Sequence, residues 1–515
     1  REGHSILFYV TLPSFIPLSF LEYIWFTYLG LTSFNLVCMA IASVSCLLLV
    51  SSFIPLSFLQ SIWSTYLGLT SFNLVCMAIA SASCLVLSME SIGGNVSGVM
   101  AYLNGSRIKK FFTVRLVLVK MLSTTLLMCT SSPGGKEGPM IHMGAAIGNL
   151  IPTYAARIYF SPALNHLCSV YERRDMSVCG IAAGIAAGFG APFGAVFLAL
   201  EETTTYYSAD LYHRMIVCSF LCKICCNLLS VLSDSHHGGT GIYKLMPHLN
   251  VNLDRVSEVE WVELGVVVLY GVIGAFLGVI FILLSKKHQS LRKKFALGDK
   301  KLYLFSEALA NAFIVSTFVV IMLWTFSNQC FPSHNKSVPR LACPKNQVPI
   351  PAVFMITFEQ GYKSVMEALP KLFPIKMLLI YFIFFYFFCI LSTSHAYSSG
   401  FFTIHFLVGA LWGRLLGEGI SWYWGPQKWM DPRKFALIGA GSQISAIVRS
   451  QVCIVCLLLE SGDVFESCGL QIFVATIIAK FVANFFVPSI YHVQLDLMGV
   501  PFLEYETPRG KVERM

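Results

Sequence analysis

Two stretches of this chain carry residues whose types and spacing could do chemistry. One is Gly135-Lys136-Glu137-Gly138-Pro139-Met140-Ile141-His142, a lysine and a glutamate enclosed by glycines and set between apolar runs. The other is the pair Glu201-Glu202, which closes the apolar run that begins at Gly180. Glycines beside a lysine suggest a phosphate loop, but Glu137 stands where that loop needs Ser or Thr, and the preceding GxxxxG spacing is missing. No HExxH or comparable metal constellation is present, so a membrane metalloprotease fails, and no cofactor or enzyme reading has a site to stand on. What remains is a helix start. Gly138-Pro139 ahead of Met140 places a proline in the first turn, where its missing N–H costs nothing. Free backbone N–H groups and the positive end of the helix dipole then favour an anion. Glu137 can be that anion, and once protonated it can swing aside for a soluble one. Glu201 and Glu202 have two readings: carboxylates at a helix end facing cytosolic water, or groups that handle protons at the edge of a bilayer.

The elements that must position these residues are written in the composition. Hydrophobic residues make up 56% of the 515 positions and charged residues 12%, about half the charged fraction of a water-soluble globule. The chain is therefore read as an integral membrane protein, all-α and polytopic, since the spanning strands of a barrel would alternate polar and apolar residues. Several apolar runs, such as Met140 to Ile151 and Met377 to Leu391, are too short to cross alone. Short helices interrupted by glycine are tolerated in a bilayer where they line a cavity or are buried in protein, which points to a transporter or channel rather than a receptor. Gly180, Gly184 and Gly188, four residues apart, give one helix a flat face for close packing.

The formal charge is +9, but the basic residues concentrate in Ser285 to Lys301 without an aromatic or base-reading pattern, so nucleic acid is not an expected partner. That loop carries the positive-inside signature of the cytosolic side. Most of the seventeen cysteines lie in apolar runs as packing thiols. Cys330 and Cys343 instead bracket a polar segment containing the sequon Asn335-Lys336-Ser337, one hydrophobic run away from the basic loop. The segment is thus expected on the lumenal or extracellular side, where a disulfide and a glycan on Asn335 are both permitted.

Ser14 to Val50 and Ser52 to Ser88 are nearly the same sequence, offset by 38 residues. A recent duplication or an assembly error explains two such copies better than an architectural repeat. No cleavable signal is evident and the chain begins at Arg1 rather than Met. The domain reading is an apolar segment over 1–88, a transport domain over 89–505 and a tail over 506–515.

Four ordered motifs carry a resemblance: GKEGPMIH, AAGIAAGFGAPFGAVFLALEE, SSGFFTIHFLVGALWGRLLGE and DPRKFALIGAGSQISAIVR. Together they resemble the CLC family of chloride channels and chloride/proton exchangers, over about Glu90 to Thr507; the segments IHMG, FGAPFG and VPFLEYE are most similar to its lysosomal exchanger branch. The resemblance implies an inverted-repeat fold of tilted, partly spanning helices, a homodimer with one pathway per subunit, and a single-span glycosylated β-subunit as partner. By position, Glu137 would be the gating glutamate and Glu202 the internal proton glutamate that passive channels of the family lack. Gly94, Lys136 and Gly138, beside the gate, would be among the anion-binding residues. Backbone amides at Phe401 and Phe402 and the hydroxyl of Tyr491 would hold the central anion, although without the resemblance Tyr491 reads as an interfacial anchor and the phenylalanines as packing. The chain departs from the pattern where Gly94 replaces a serine whose hydroxyl holds chloride, and where Ile404 replaces the proline after Gly-x-Phe-x. It stops at Met515, where a pair of cytosolic nucleotide-sensing domains would begin. The expected function is exchange of chloride for protons across a lysosomal or late endosomal membrane; a passive voltage-gated channel and a non-transporting relative are the alternatives.

Overall fold

The computed structural model describes residues 62–106, 108–159, 169–233, 260–295, 300–332, 343, 347–352, 358–367, 372–425, 429, 431–462, 465–500 and 502. In chain order the described helices are α1 (Ile62–Leu87), α2 (Val96–Leu103), α3 (Val114–Met128), α4 (Glu137–Tyr159), α5 (Val170–Phe189), α6 (Pro192–Leu198), α7 (Ala209–Ser233) and α8 (Trp261–Lys294). They continue with α9 (Lys301–Thr325), α10 (Phe358–Glu367), α11 (Ile375–Ser392), α12 (Phe402–Trp424), α13 (Pro432–Val448), α14 (Val452–Gly462), α15 (Phe465–Asn484) and α16 (Ile490–Met498). Five of them carry segments long and apolar enough to cross a membrane: Tyr66–Leu87, Ala209–Leu228, Trp261–Lys294, Lys301–Thr325 and Ile375–Ser392. The chain is a multi-pass membrane protein.

Glycine decides which helices approach most closely. On α4 and α5 the contacts pair Gly148 with Met176, Gly144 with Gly180, and Met140 with Gly184, a rising register against a falling one, so the two run antiparallel. No Cβ fits at Gly144 or Gly180, because each faces the other's backbone carbonyl. The four-residue spacing of Gly180 and Gly184 is thus used for packing. α12 and α13 repeat the arrangement, with Gly409 against Ala440, Gly413 against Phe435 and Gly439, and Gly417 against Pro432. The loops entering α4 and α12 meet in an antiparallel bridge, Gly135 N–H donating to Gly400 O at 2.9 Å and Gly400 N–H to Gly135 O at 2.7 Å. Two helix pairs that begin at one point and face in opposite senses form the inverted repeat.

Several apolar runs are broken inside. Ser177 to Leu200 divides where Gly190, at φ +69°, ends α5 and Pro192 starts α6. Phe435 to Leu459 divides at Arg449, a left-handed residue (φ 75°) whose guanidinium donates to Ala483 O at 3.1 Å and Val487 O at 2.8 Å. α6 and α14, the short helices these breaks create, cap one another. The Glu460 carboxylate, near the end of α14, accepts from the N–H groups of Phe193 (3.1 Å) and Gly194 (2.8 Å) at the start of α6. Glu201, past the end of α6, accepts from Gln451, Val452 and Cys453 N–H at 3.0, 3.1 and 3.3 Å at the start of α14.

The exception to the helical pattern among the described residues is a hairpin of β1 (Cys330–Pro332) and β2 (Gln347–Pro349), antiparallel. Cys330 and Cys343 are joined by a disulfide beside it. Asn335 lies outside the described residues, as does the first copy of the duplicated segment; Ile62 to Leu87 of the second copy is α1, with Asn73 Nδ2 donating to Ser131 Oγ (2.9 Å) and Ser316 Oγ (2.8 Å).

Candidate functional site

The N-termini of α2, α4, α12 and α16 converge on a cavity of about 330 Å³. Its inner wall is built by Gly94, Gly138, Gly400, Phe401, Phe402 and Tyr491, and Gln289 and Lys293 of the basic segment also line it. Each helix start leaves backbone N–H groups without intrahelical acceptors, so several sets of donors and dipole ends of one sign share this space. α4 begins at Glu137 itself, with Pro139 in its first turn.

Glu137 is buried, 4% exposed, and its Oε1 accepts from the Thr403 hydroxyl at 2.5 Å. Thr403 belongs to the first turn of α12, so the glutamate of one half of the repeat is held by the helix start of the other. The carboxylate lies over Gly135, where no Cβ would fit beside Oε2. Gly138 is required for the same closeness: a Cβ there would lie 3.0 Å from the Cα atoms of both Gly94 and Gly400. Lys136 is buried as well.

α12 begins at Phe402 although Ile404 replaces a proline, with Phe401 as the flanking residue and no side-chain cap. The rings of Phe401 and Phe402 lie nearly parallel, 5.6 Å apart, and the Tyr491 ring is 5.3 Å from Phe401. Tyr491 is fully buried, and its hydroxyl has no hydrogen-bond partner among the described residues. A buried hydroxyl without a partner costs free energy; placed on the wall of a cavity, it is a donor waiting for an acceptor. Gly94 offers no side-chain donor, and a Cβ added there would sit 3.2 Å from Gly138 Cα. Its loop is braced from behind by Lys120, fully buried in α3, whose Nζ donates to Gly93 O at 2.7 Å.

The two adjacent glutamates part company in the π-helical turn Ala199–Thr203. Glu201 is consumed by the start of α14, also accepting from the Ser450 hydroxyl. No described residue hydrogen-bonds Glu202, which is partly buried; its electrostatic neighbours are Glu201, Lys480 and Arg449, and it lies within electrostatic reach of Tyr491. The carboxylate left available is therefore the second of the pair.

The cavity thus brings together Gly94, Gly138, Phe401, Phe402 and Tyr491, with Glu137 sealed beside it under Thr403. Cys330 and Cys343 belong to the separate hairpin. Thr403 and Lys120 are found by the structure alone. Lys120 carried a signal, a cation inside the apolar run Phe111 to Cys129, whereas Thr403 carried none, because its partner is 266 residues away.

Residues 76–484 match the family model described as voltage gated chloride channel. The chain is 26% identical over 431 residues to the mouse H(+)/Cl(-) exchange transporter 7, covering 81% of this chain and 52% of the relative. It is 27% identical over 433 residues to chloride channel protein CLC-b of Arabidopsis thaliana, covering 80% and 54%. The chain spans about half the length of these curated relatives. Among solved structures, a eukaryotic CLC transporter matches at TM-score 0.68 and 17% identity, over 93% of this chain and 75% of the other. A slow cyanobacterial Cl-/H+ antiporter matches at TM-score 0.68 and 15% identity, over 92% and 97%. These likenesses establish the fold.

Proposed function

This chain belongs to the voltage gated chloride channel family, and from that premise we propose that it exchanges chloride for protons by using one carboxylate as a removable stand-in for the anion. The observation that carries the reading is the position of Glu137: a buried acid at the start of α4, held by Thr403 beside a cavity whose donors include a Tyr491 hydroxyl without a partner among the described residues. Deprotonated, Glu137 fills the pathway as an anion. Protonated, it gives up its attraction to the converging helix starts, moves aside, and chloride takes its place against Tyr491 and the amides of Phe401 and Phe402. Lys136 and Gly138 shape the gate.

Coupling requires a second acid to deliver the proton, and Glu202 fits because it is committed to no hydrogen bond among the described residues while Glu201 caps α14. Glu202 takes a proton from the cytosolic side and passes it toward Glu137; no nucleotide is consumed. The transport domain occupies residues 89–505, the basic segment faces the cytosol, and the Cys330–Cys343 hairpin with the sequon at Asn335 faces the lumen. The likeness to the mouse exchange transporter 7 supports a lysosomal or late endosomal membrane, and the family resemblance supports a homodimer that takes a single-span glycosylated β-subunit. Simultaneous recording of chloride and proton flux from the purified protein in liposomes tests the reading. Opposed, stoichiometric movement of the two ions is expected; chloride flux without proton movement would make the protein a passive channel, and no flux would remove transport altogether.

A further inference from the structure

One side chain lining the cavity, Gln494, has chemistry that the exchange cycle does not use. Gln494 lies three residues past Tyr491 on α16 and therefore on the same face, one turn farther along the cavity wall. Its Oε1 is already occupied: the hydroxyl of Ser97, in the first turn of α2, donates to it at 2.5 Å. Ser97 is fully buried and cannot turn to water. Nε2 has no hydrogen-bond partner among the described residues and is not sealed in protein. An amide has one acceptor end and one donor end; with the acceptor end satisfied by Ser97, the end presented to the cavity is the NH₂ group.

The need for such a donor follows from Gly94. This residue forms the cavity wall at the loop into α2 but contributes no side chain, and the Gly138 backbone crowds the place a Cβ would take. A desolvated anion arriving there loses water hydrogen bonds that must be replaced. Donors on the wall include backbone N–H groups of the helix starts, the Tyr491 hydroxyl, Gln289 and the Gln494 amide, while Asn95 Nδ2 donates to Glu90 O at 2.5 Å, Ser399 Oγ to Gly400 O at 3.3 Å and Lys293 Nζ to Leu497 O at 3.3 Å; of these, Tyr491 and Gln494 stand together on α16. We infer that Gln494 is a specificity-determining residue that donates its side-chain amide to the chloride ion at the inner end of the cavity, and that Ser97 is the positioning residue that keeps the NH₂ facing inward. The inference rests on the exchange reading for the identity of the ion, but its test is a binding measurement.

Chloride is titrated into the purified full chain by calorimetry, and the same protein is assayed for chloride-dependent transport in liposomes. Gln494→Leu keeps the volume and removes the donor, and it should raise the chloride dissociation constant on the order of threefold to tenfold, as expected for one lost hydrogen bond. Gln494→Glu should weaken chloride further, by placing a like charge at the site. Ser97→Ala frees the amide to turn and should weaken chloride about twofold to threefold, with Ser97→Thr restoring it; a purely structural Ser97 would alter thermal stability without moving the affinity. If Gln494→Leu binds chloride as the parent does, the inference is overturned while exchange stands. If the parent binds chloride more tightly than Gln494→Leu yet moves none across the membrane, the exchange reading falls and the inference holds. A parent that neither binds nor transports chloride overturns both.

Discussion

Replacing Glu201 and Glu202 one at a time should break two different things, although the residues are neighbours of identical chemistry. Glu201 accepts three backbone N–H bonds and one hydroxyl at the start of α14. Glu201→Ala leaves those N–H groups without an acceptor at a helix end, and loss of a capping oxygen costs about 1–2 kcal/mol. The loss should appear as a lower thermal midpoint and a shorter lifetime in detergent, compared at one scan rate, because unfolding of a membrane protein of this size is read as a rate. The folded fraction should still couple chloride to protons. Glu202→Ala removes no hydrogen bond among the described residues and should change stability by no more than about 0.5 kcal/mol, leaving the thermal midpoint close to the parent's, as for other substitutions that touch no such feature. Its proton flux should vanish while chloride flux persists. The assay is paired: a thermal melt of each variant, then simultaneous chloride and pH recordings normalised to folded protein. The reasoning is refuted if Glu201→Ala uncouples the ions at full stability, or if Glu202→Ala retains proton flux.

Glu137→Gln fixes the gate in the protonated shape, so chloride flux should lose its rise toward acid pH; an unchanged acid dependence in the liposome assay would remove Glu137 from the gate. Tyr491→Phe deletes a hydroxyl that no described residue satisfies, and it should weaken chloride binding about twofold to tenfold by calorimetry with no loss of thermal stability. Gly138→Ala puts a Cβ 3.0 Å from the Cα atoms of Gly94 and Gly400; backbone on both sides cannot yield cheaply, so destabilisation of about 1–3 kcal/mol and a lower yield of monodisperse protein by size exclusion are expected.

Much of the site was legible because it is made of backbone. GKEGP announces a helix start through its glycine and proline, and α4 begins at Glu137 within that motif. Gly180 and Gly184 announce a close contact through their spacing, and α5 uses them against Gly144 and Met140. Helix breaks inside apolar runs were hidden. Gly190 falls in a series of glycines that otherwise serve packing, and Arg449 takes a left-handed conformation that arginine seldom adopts, held there by carbonyls of Ala483 and Val487. Side chains tied across the repeat were hidden for another reason: Thr403 meets Glu137, Ser97 meets Gln494 and Ser450 meets Glu201 over 249 to 397 residues of chain, and no local pattern encodes a partner at that range.

That distance bears on how the site works. Glu137 stands in the first half of the repeat and its donor Thr403 in the second; Glu201 in the first half caps α14 in the second, and Glu460 on α14 caps α6 in return. Residues of both halves line the cavity, and on the proposed exchange reading a carboxylate can give way to an ion there only while both halves hold their helix starts in place. In a bilayer, where an unsatisfied backbone end costs several kcal/mol, the reciprocal caps fix the short helices that would otherwise fray. A scaffold fixed in this way lets Glu137 move as a side chain, with little accompanying motion of backbone. On the proposed exchange reading the chemistry is then confined to a rotamer and a proton, and Glu202, free of the capping role that its neighbour performs, is left to supply the proton.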